Sequence, residues 1–185
     1  MKRRFLITAG ALLCSVALIA QERSISTNIV DMANLGTLNA EVQYGLARRW
    51  TASGEVKYNP FSYPGGKDDL GMQNRQRSVA AGLRFWPWHI YSGWWMSGRV
   101  RYQEYNVAGL RDSKATEGDR YGGGLAGGYT YMLGKNWNLD MGLGFWAGRD
   151  NFTVYACPTC GRLIDAGSKT FVLPDDFIFS LTYVF

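Results

Sequence analysis

The sequence contains one histidine and three cysteines among its 185 residues, and this scarcity limits the sites that it can form. A structural zinc site needs four ligands, and the pair Cys157 and Cys160 has no second cysteine pair to complete such a set. The glycines near residues 122–128 do not form a phosphate loop, because no Lys-Ser or Lys-Thr pair and no helical pattern follows them. We therefore expect no metal site and no cofactor.

The chain also has little excess positive charge when the N-terminal segment is left out of the count. Three basic residues at positions 2–4 precede an apolar run that ends at Ala20, and polar residues follow. This arrangement predicts a secretory signal peptide over residues 1–20 and a mature domain over residues 21–185. The apolar run is shorter than the roughly 20 residues that a membrane-spanning helix needs. Without the signal, 17 basic residues stand against 15 acidic ones, so we expect no nucleic-acid partner.

The mature part has no long stretch with helical periodicity, and it shows strand periodicity instead. Apolar side chains recur at every second position, as Leu139, Met141, Leu143 and Phe145 do, in runs of about ten residues separated by turn-forming residues. Such alternation places the apolar side chains of each run on one face of a sheet. The predicted strands are 25–33, 38–46, 50–60, 75–86, 94–107, 119–133, 137–150 and 174–185.

The face opposite to the apolar one distinguishes a soluble sheet from a membrane-spanning barrel. It is rich in small residues, such as Gly122, Gly124, Ala126 and Gly128, and it carries charges of both signs. Small residues and charges that can pair suit the crowded interior of a narrow barrel better than a surface in water. A permeation path lined by arginines is the alternative use of these charges. We expect an ion-pair network in the lumen, formed by Glu41, Glu55, Lys57, Arg84, Arg99, Arg101 and Asp140.

Aromatic residues gather at the ends of the predicted strands on one side. In membrane barrels such residues form a girdle at the level of the lipid headgroups. The girdle predicted here consists of Trp50, Trp86, Trp88, Tyr91, Trp94 and Trp137.

The connections between the strands give the predicted topology. With an even number of strands, both ends of the mature chain lie on the periplasmic side, together with the short turns 47–49, 87–93 and 134–136. The connection 34–37 is a short outward one. The sequence therefore predicts an all-β, eight-stranded antiparallel transmembrane β-barrel with short periplasmic turns and mostly longer outer loops, its interior filled by side chains. The longer outer loops are 61–74, 108–118 and 151–173.

The C-terminal stretch FIFSLTYVF resembles the recognition signal of bacterial outer-membrane proteins, which ends in Phe and has apolar residues at alternate positions. The stretches STNIVDMANLGTLNAEVQYGLARRW, RFWPWHIYSGWW and RYGGGLAGGYTYMLGKNWNLDMGLGFWAG resemble a domain-of-unknown-function family of small barrels from gut-type Gram-negative bacteria. The resemblance implies a location in the cell outer membrane, with its lipid and the barrel-assembly machinery as partners. It implies no activity.

Two short features of the sequence remain as candidate functional sites. Cys157 and Cys160 are expected to form a disulfide in the last outer loop, because exported proteins meet an oxidising environment; two free thiols are the alternative. His89 lies in a predicted periplasmic turn, so it cannot serve as the base for a serine that attacks lipid A in the outer leaflet. We expect no catalytic residues and no enzyme activity.

These patterns lead to a functional hypothesis with two alternatives. We expect a non-enzymatic outer-membrane barrel that has a structural role or makes surface contacts through its outer loops. The main alternative is a narrow channel or transporter for small solutes. A soluble periplasmic barrel is the third possibility.

Overall fold

The structure is a computed structural model that describes residues 22–63, 72–109, 114–157 and 161–185, with the backbone alone at Asp175 and Asp176. The predicted signal peptide lies outside the described residues. The described chain is all-β, as predicted, apart from one short helix, α1 (Ile29–Ala33). The strands are β1 (Arg23–Asn28), β2 (Leu38–Ala47), β3 (Trp50–Asn59), β4 (Ser62–Tyr63), β5 (Met72–Phe85), β6 (Gly93–Ala108), β7 (Ala115–Met132), β8 (Trp137–Tyr155) and β9 (Leu163–Val184).

The strands form one antiparallel sheet that closes into a ring. Each strand from β5 to β9 pairs with the next, β9 pairs with β1, and β1 leads through β2 to β3. The pairing of β3 with β5 closes the ring, in register from Trp50 opposite Phe85 to Asn59 opposite Gln76. The described residues form nine strands, whereas the sequence predicted eight. The additional strand is β4, which has two residues and pairs with β5 at the edge of the ring.

The two ends of the ring differ. At one end, here called the terminal end, Arg23 and the C-terminal Phe185 exchange backbone hydrogen bonds of 3.0 and 2.8 Å. The connections at this end are 48–49, 86–92 and 133–136. The opposite end, here called the loop end, contains α1 and the two-residue strand β4.

The first predicted strand is wrong beyond Asn28. The Asn28 side chain accepts a hydrogen bond of 3.1 Å from the backbone N–H of Val30 and so forms the N-cap of α1. The apolar residues that follow therefore belong to a helical turn, although in sequence they continue the run of the strand.

The extents of the longer predicted loops are also wrong. In the predicted loop 151–173, β8 continues to Tyr155 and β9 begins at Leu163, so most of the segment is strand. The register of β9 against β8 shifts between Leu143 and Phe145, close to Pro174. A bulge at this point lets a strand accommodate a proline, and it reverses which residues face inward. Outward residues therefore have even numbers before the bulge, as Val172 does, and odd numbers after it, as Phe177 does. Predicted loops 61–74 and 108–118 are shortened in the same way by β4, β5, β6 and β7.

The polarity of the two faces is the reverse of that in a water-soluble sheet. Inward side chains are polar and buried, among them Thr51, Thr130, Asp140, Asp150 and Thr182, each no more than 2% exposed. Outward side chains are apolar and exposed, for example Val42, Met96, Val100, Leu125 and Phe145, each more than 55% exposed. Among the described residues, no helix is long and apolar enough to cross a membrane.

Candidate functional site

The centre of the ring interior contains the seven charged residues expected in the lumen, and the structure brings them together. We call this group the charge layer: Glu41, Glu55, Lys57, Arg84, Arg99, Arg101 and Asp140. They project inward from β2, β3, β5, β6 and β8, because they occupy the inward positions of the alternation on those strands.

Arg84 connects two acidic residues on different sides of the ring. Its two terminal nitrogens lie 3.2 Å from Glu41 Oε1 and 3.2 Å from Asp140 Oδ2. The side chains of Arg84 and Asp140 are each 3% exposed. Asp140 also accepts hydrogen bonds from the hydroxyls of Thr130 and Thr182. The buried carboxylate therefore has its charge balanced and its oxygens occupied, as a charge away from water requires.

Glu55 is the centre of the other half of the charge layer. Its carboxylate lies 3.0 Å from Arg101, 3.3 Å from Arg99 and 3.4 Å from Lys57. Lys57 also pairs at 2.8 Å with Asp31 of α1. The sequence did not predict Asp31 as a member of this group, because residues 25–33 were expected to form one strand.

Below the charge layer, towards the terminal end, the interior is filled by apolar side chains. We call Trp86, Ile90, Tyr91 and Trp95 the aromatic plug; each is no more than 5% exposed. The prediction that Trp86 and Tyr91 belong to the girdle is therefore wrong. Trp86 follows β5 at an inward position, and its backbone N–H donates to Arg49 O at 2.9 Å. The other predicted girdle residues, Trp50, Trp88, Trp94 and Trp137, are between 44% and 61% exposed.

Two inward glycines make room for the largest side chain of the plug. A Cβ at Gly128 would stand 2.6 Å from Trp95 Cζ2, and a Cβ at Gly142 would stand 2.9 Å from the same atom. The edge of the indole that carries Cζ2 therefore lies close to β7 and β8. The Arg84 guanidinium carbon is 4.1 Å from the centroid of the same ring, so Arg84 contacts both the plug and the charge layer.

Tyr91 closes the plug at the terminal end. Its hydroxyl donates to Glu22 O at 3.1 Å, and its backbone carbonyl accepts from the Asn138 side chain at 3.0 Å. Burial raises the pKa of Tyr91 to about 12, so the phenol keeps its donor to a higher pH than an exposed tyrosine would.

A second polar cluster lies at the loop end, at the outer ends of the predicted strands 94–107, 119–133 and 137–150. Asp150 is fully buried and accepts a hydrogen bond of 2.7 Å from the Tyr105 hydroxyl. Arg120 pairs with Asp150 at 3.2 Å, and its guanidinium carbon lies 4.1 Å from the Tyr105 ring centroid. The alternation of side chains along β7 and β8 places Arg120 and Asp150 inside the ring. This alternation could have identified the cluster from the sequence.

The two sequence features proposed as candidate sites, the cysteine pair and His89, are not members of the charge layer or of the Asp150 cluster. Cys157 forms a disulfide, whereas Cys160 lies outside the described residues, so the pairing of these two cysteines stays a prediction. His89 lies in the connection between β5 and β6, with Nδ1 3.0 Å from Ile90 O. Among the described residues, no group of three or more His, Cys, Asp or Glu side chains is placed to hold a metal ion.

Fold and interior together define an all-β protein whose single antiparallel sheet closes around buried charges. The chain belongs to the family described as "Protein of unknown function (DUF3575)", whose model matches residues 5–185. The predicted membership of a domain-of-unknown-function family is therefore confirmed. No curated protein and no solved structure shows a significant match to the chain.

Proposed function

We propose that this protein is an integral β-barrel of the outer membrane of a Gram-negative bacterium, without enzyme activity, and that its loop end supports the envelope or contacts surface partners. The reversed polarity of the ring carries this proposal. A ring with polar residues inside and apolar residues outside is stable in lipid, because closure satisfies the backbone hydrogen bonds and the outer side chains meet acyl chains.

The apolar outer surface has the height that a bilayer requires. On β6 the outward residues from Trp94 to Tyr102 are apolar, aromatic or glycine, and the next outward residue is Glu104. On β8 the corresponding stretch runs from Trp137 to Ala147, and Arg149 follows. These stretches contain nine and eleven residues, which matches the roughly 9–11 residues of a tilted strand that crosses a membrane.

Aromatic side chains line the terminal end of this apolar band. Trp94 packs against Tyr129 with ring centroids 5.3 Å apart, and Trp137 packs against Tyr183 at 5.0 Å. Such pairs favour the headgroup level, where one part of the ring is dry and its polar atom is hydrated. The terminal end would therefore lie at the periplasmic interface, and the loop end would face outward.

The filled interior favours a structural or contact role over the channel alternative. The aromatic plug and the charge layer occupy successive levels of the lumen, and an eight-membered ring leaves little space beside its side chains. A solute would have to displace paired charges that are costly to separate. We therefore propose that the protein does not conduct.

The ends of the sequence support delivery to the outer membrane. The predicted signal over residues 1–20 would direct export, and the segment 177–185 would be read by the barrel-assembly machinery. In β9, Phe177 is 63% exposed and Phe179 is 40% exposed, so both present apolar surface to the outside of the ring.

Membrane fractionation tests the location. We expect the chain in the outer-membrane fraction, resistant to extraction with carbonate and migrating differently on gels before and after boiling. Recovery of a monodisperse protein from the periplasm without detergent would instead establish the soluble alternative.

Two functional assays test the remaining alternatives. In planar bilayers we expect no reproducible single-channel current, and a steady current would establish the channel. Radiolabelled lipid A should neither lose nor gain an acyl chain on incubation with the protein. A change in its acylation would contradict the non-enzymatic proposal.

A further inference from the structure

The outer face of the sheet has a polar groove at its loop end. The groove has a volume of about 860 Å³ and crosses β3 and β5 to β9. Its charged outward side chains are two arginines, Arg75 and Arg77, and three acids, Glu104, Glu117 and Asp119. Arg77 pairs with Glu104, and Glu117 accepts a hydrogen bond of 3.3 Å from Asn106. The groove thus combines both signs of charge with amide groups.

An apolar groove lies on the same strands, nearer the terminal end. It has a volume of about 750 Å³, and small residues at Ala81, Gly98 and Gly123 form its floor. Leu125 and Phe145 rise beside the floor and are 74% and 62% exposed. The apolar groove lies at the level that the proposed membrane would cover.

The two grooves follow one another along the strands. On β7, Gly123 lies in the apolar groove, Tyr121 is the next outward residue, and Asp119 lies in the polar groove. Gly123 and Asp119 are four positions apart along the strand, a distance of about 13 Å. A molecule with a polar head and an apolar tail would contact both grooves in one orientation. That orientation is the one that a lipid has in the outward leaflet.

We propose that this face binds a glycolipid of the surrounding leaflet, with its sugar headgroup in the polar groove and an acyl chain in the apolar groove. The inference rests on the proposed function, because only a membrane-inserted chain would meet a lipid in this orientation.

The lining of the polar groove favours a sugar over an anionic headgroup. Three carboxylates against two guanidinium groups give no positive excess to attract a phosphate. Sugar hydroxyls both donate and accept hydrogen bonds, so they match carboxylates, guanidinium groups and the amides of Asn106 and Asn151 together. Tyr58, 54% exposed, adds an aromatic surface at the edge of the groove.

Photocrosslinking in nanodiscs tests this proposal. The protein is inserted into phosphatidylcholine nanodiscs that contain either digalactosyl diacylglycerol or phosphatidylcholine with the same photoreactive acyl chain. We expect several-fold more labelling of β6 and β7 by the glycolipid probe. The Asp119→Ala substitution should reduce this preference and leave labelling by the phosphatidylcholine probe unchanged.

Glycine substitutions provide a matched pair of variants. Gly123→Leu fills the apolar groove, and a Cβ at this position would make an ordinary contact of 3.7 Å with Arg99 O. Gly127→Leu is the control, because Gly127 lies at an outward position of the same strand, lines neither groove, and a Cβ there would make an ordinary contact of 3.6 Å with Trp95 O. We expect Gly123→Leu to lower labelling by the glycolipid probe several-fold and Gly127→Leu to leave it unchanged.

Two results would overturn the proposal. They are equal labelling by the two probes in the unsubstituted protein and equal effects of the two leucine substitutions. Gel migration before and after boiling reports insertion separately. A chain that inserts but shows no preference contradicts only this inference, whereas a chain that does not insert contradicts the proposed function.

Discussion

The charge layer and the aromatic plug fill the same interior by different physical means. In the charge layer, buried ions are stable only because each has a partner, as Arg84 has in Glu41 and Asp140. In the plug, Trp86, Ile90, Tyr91 and Trp95 are held mainly by close packing. Arg84 joins the two, since its guanidinium group lies over Trp95 while its nitrogens reach the carboxylates.

This difference predicts different responses to substitution. Removing one ion from a buried pair leaves an uncompensated charge, whose desolvation adds to the loss of the contact. Removing an apolar side chain leaves a cavity, and the penalty depends on how far the neighbours relax. In the proposed membrane setting the first case would be more severe, because lipid around the ring would keep water away from its centre.

The largest effect is expected from Asp140→Leu. Arg84 keeps Glu41 as a partner in this variant, but three buried donors lose their acceptor: one Arg84 nitrogen and the hydroxyls of Thr130 and Thr182. We expect it to lower the free energy of unfolding by about 3–5 kcal/mol. Urea unfolding of the protein in lipid vesicles, followed by tryptophan fluorescence, measures this change.

Two further variants separate charge from shape at this position. Asp140→Asn keeps the hydrogen-bond acceptor and should lose less stability than Asp140→Leu. The triple variant Glu41→Gln, Arg84→Met and Asp140→Leu removes all three charges around Arg84, so it should lose less stability than the sum of the losses of its three single variants. A triple variant as unstable as that sum would show that pairing does not dominate in the charge layer.

A smaller effect is expected in the plug from Ile90→Ala. Ile90 is 5% exposed and its Cδ1 approaches the inner side of Gly45. We expect a loss of about 2–3 kcal/mol, at the lower end of the range for such truncations, because the connection 86–92 can partly close the cavity. The same unfolding assay measures the loss, and Ile90→Val should retain most of the stability. A loss larger than that of Asp140→Leu would reverse the ranking of the two regions.

The smallest effect is expected for an ion pair outside both regions. The Arg77 side chain is 69% exposed and pairs with Glu104 on the outer face. Because solvent screens this pair, Arg77→Ala should change the free energy of unfolding by less than about 1 kcal/mol. A loss comparable to that of Asp140→Leu would mean that burial does not determine the strength of these pairs.

Much of the fold was predictable from local patterns. The alternation in β2, β5, β6, β8 and the last part of β9 identified those strands and their outward faces, because a period of two residues has one interpretation in a sheet. Three features were missed for physical reasons. Asn28 caps a helix through its own side chain, the bulge near Pro174 reverses the alternation, and Trp86 faces inward although it adjoins a rim of exposed tryptophans.

The site was predictable as a set of residues but not as a set of pairs. The inward positions of Glu41, Glu55, Arg84 and Asp140 follow from strand phase alone. Their partners come from strands that are far apart in sequence, as with Arg84 and Asp140, and they meet only after the ring closes. Asp31 reaches Lys57 only because the chain leaves β1 as a helix.

By itself, the sequence determined the all-β class, most of the strands and the reversed polarity of the two faces, because side-chain alternation is a local property of an extended chain. The tertiary structure decided the closure of β3 on β5, the partners within the charge layer, and the placement of Trp86 and Tyr91 inside the ring. These features depend on contacts across the ring, and no local pattern encodes which residues will meet there.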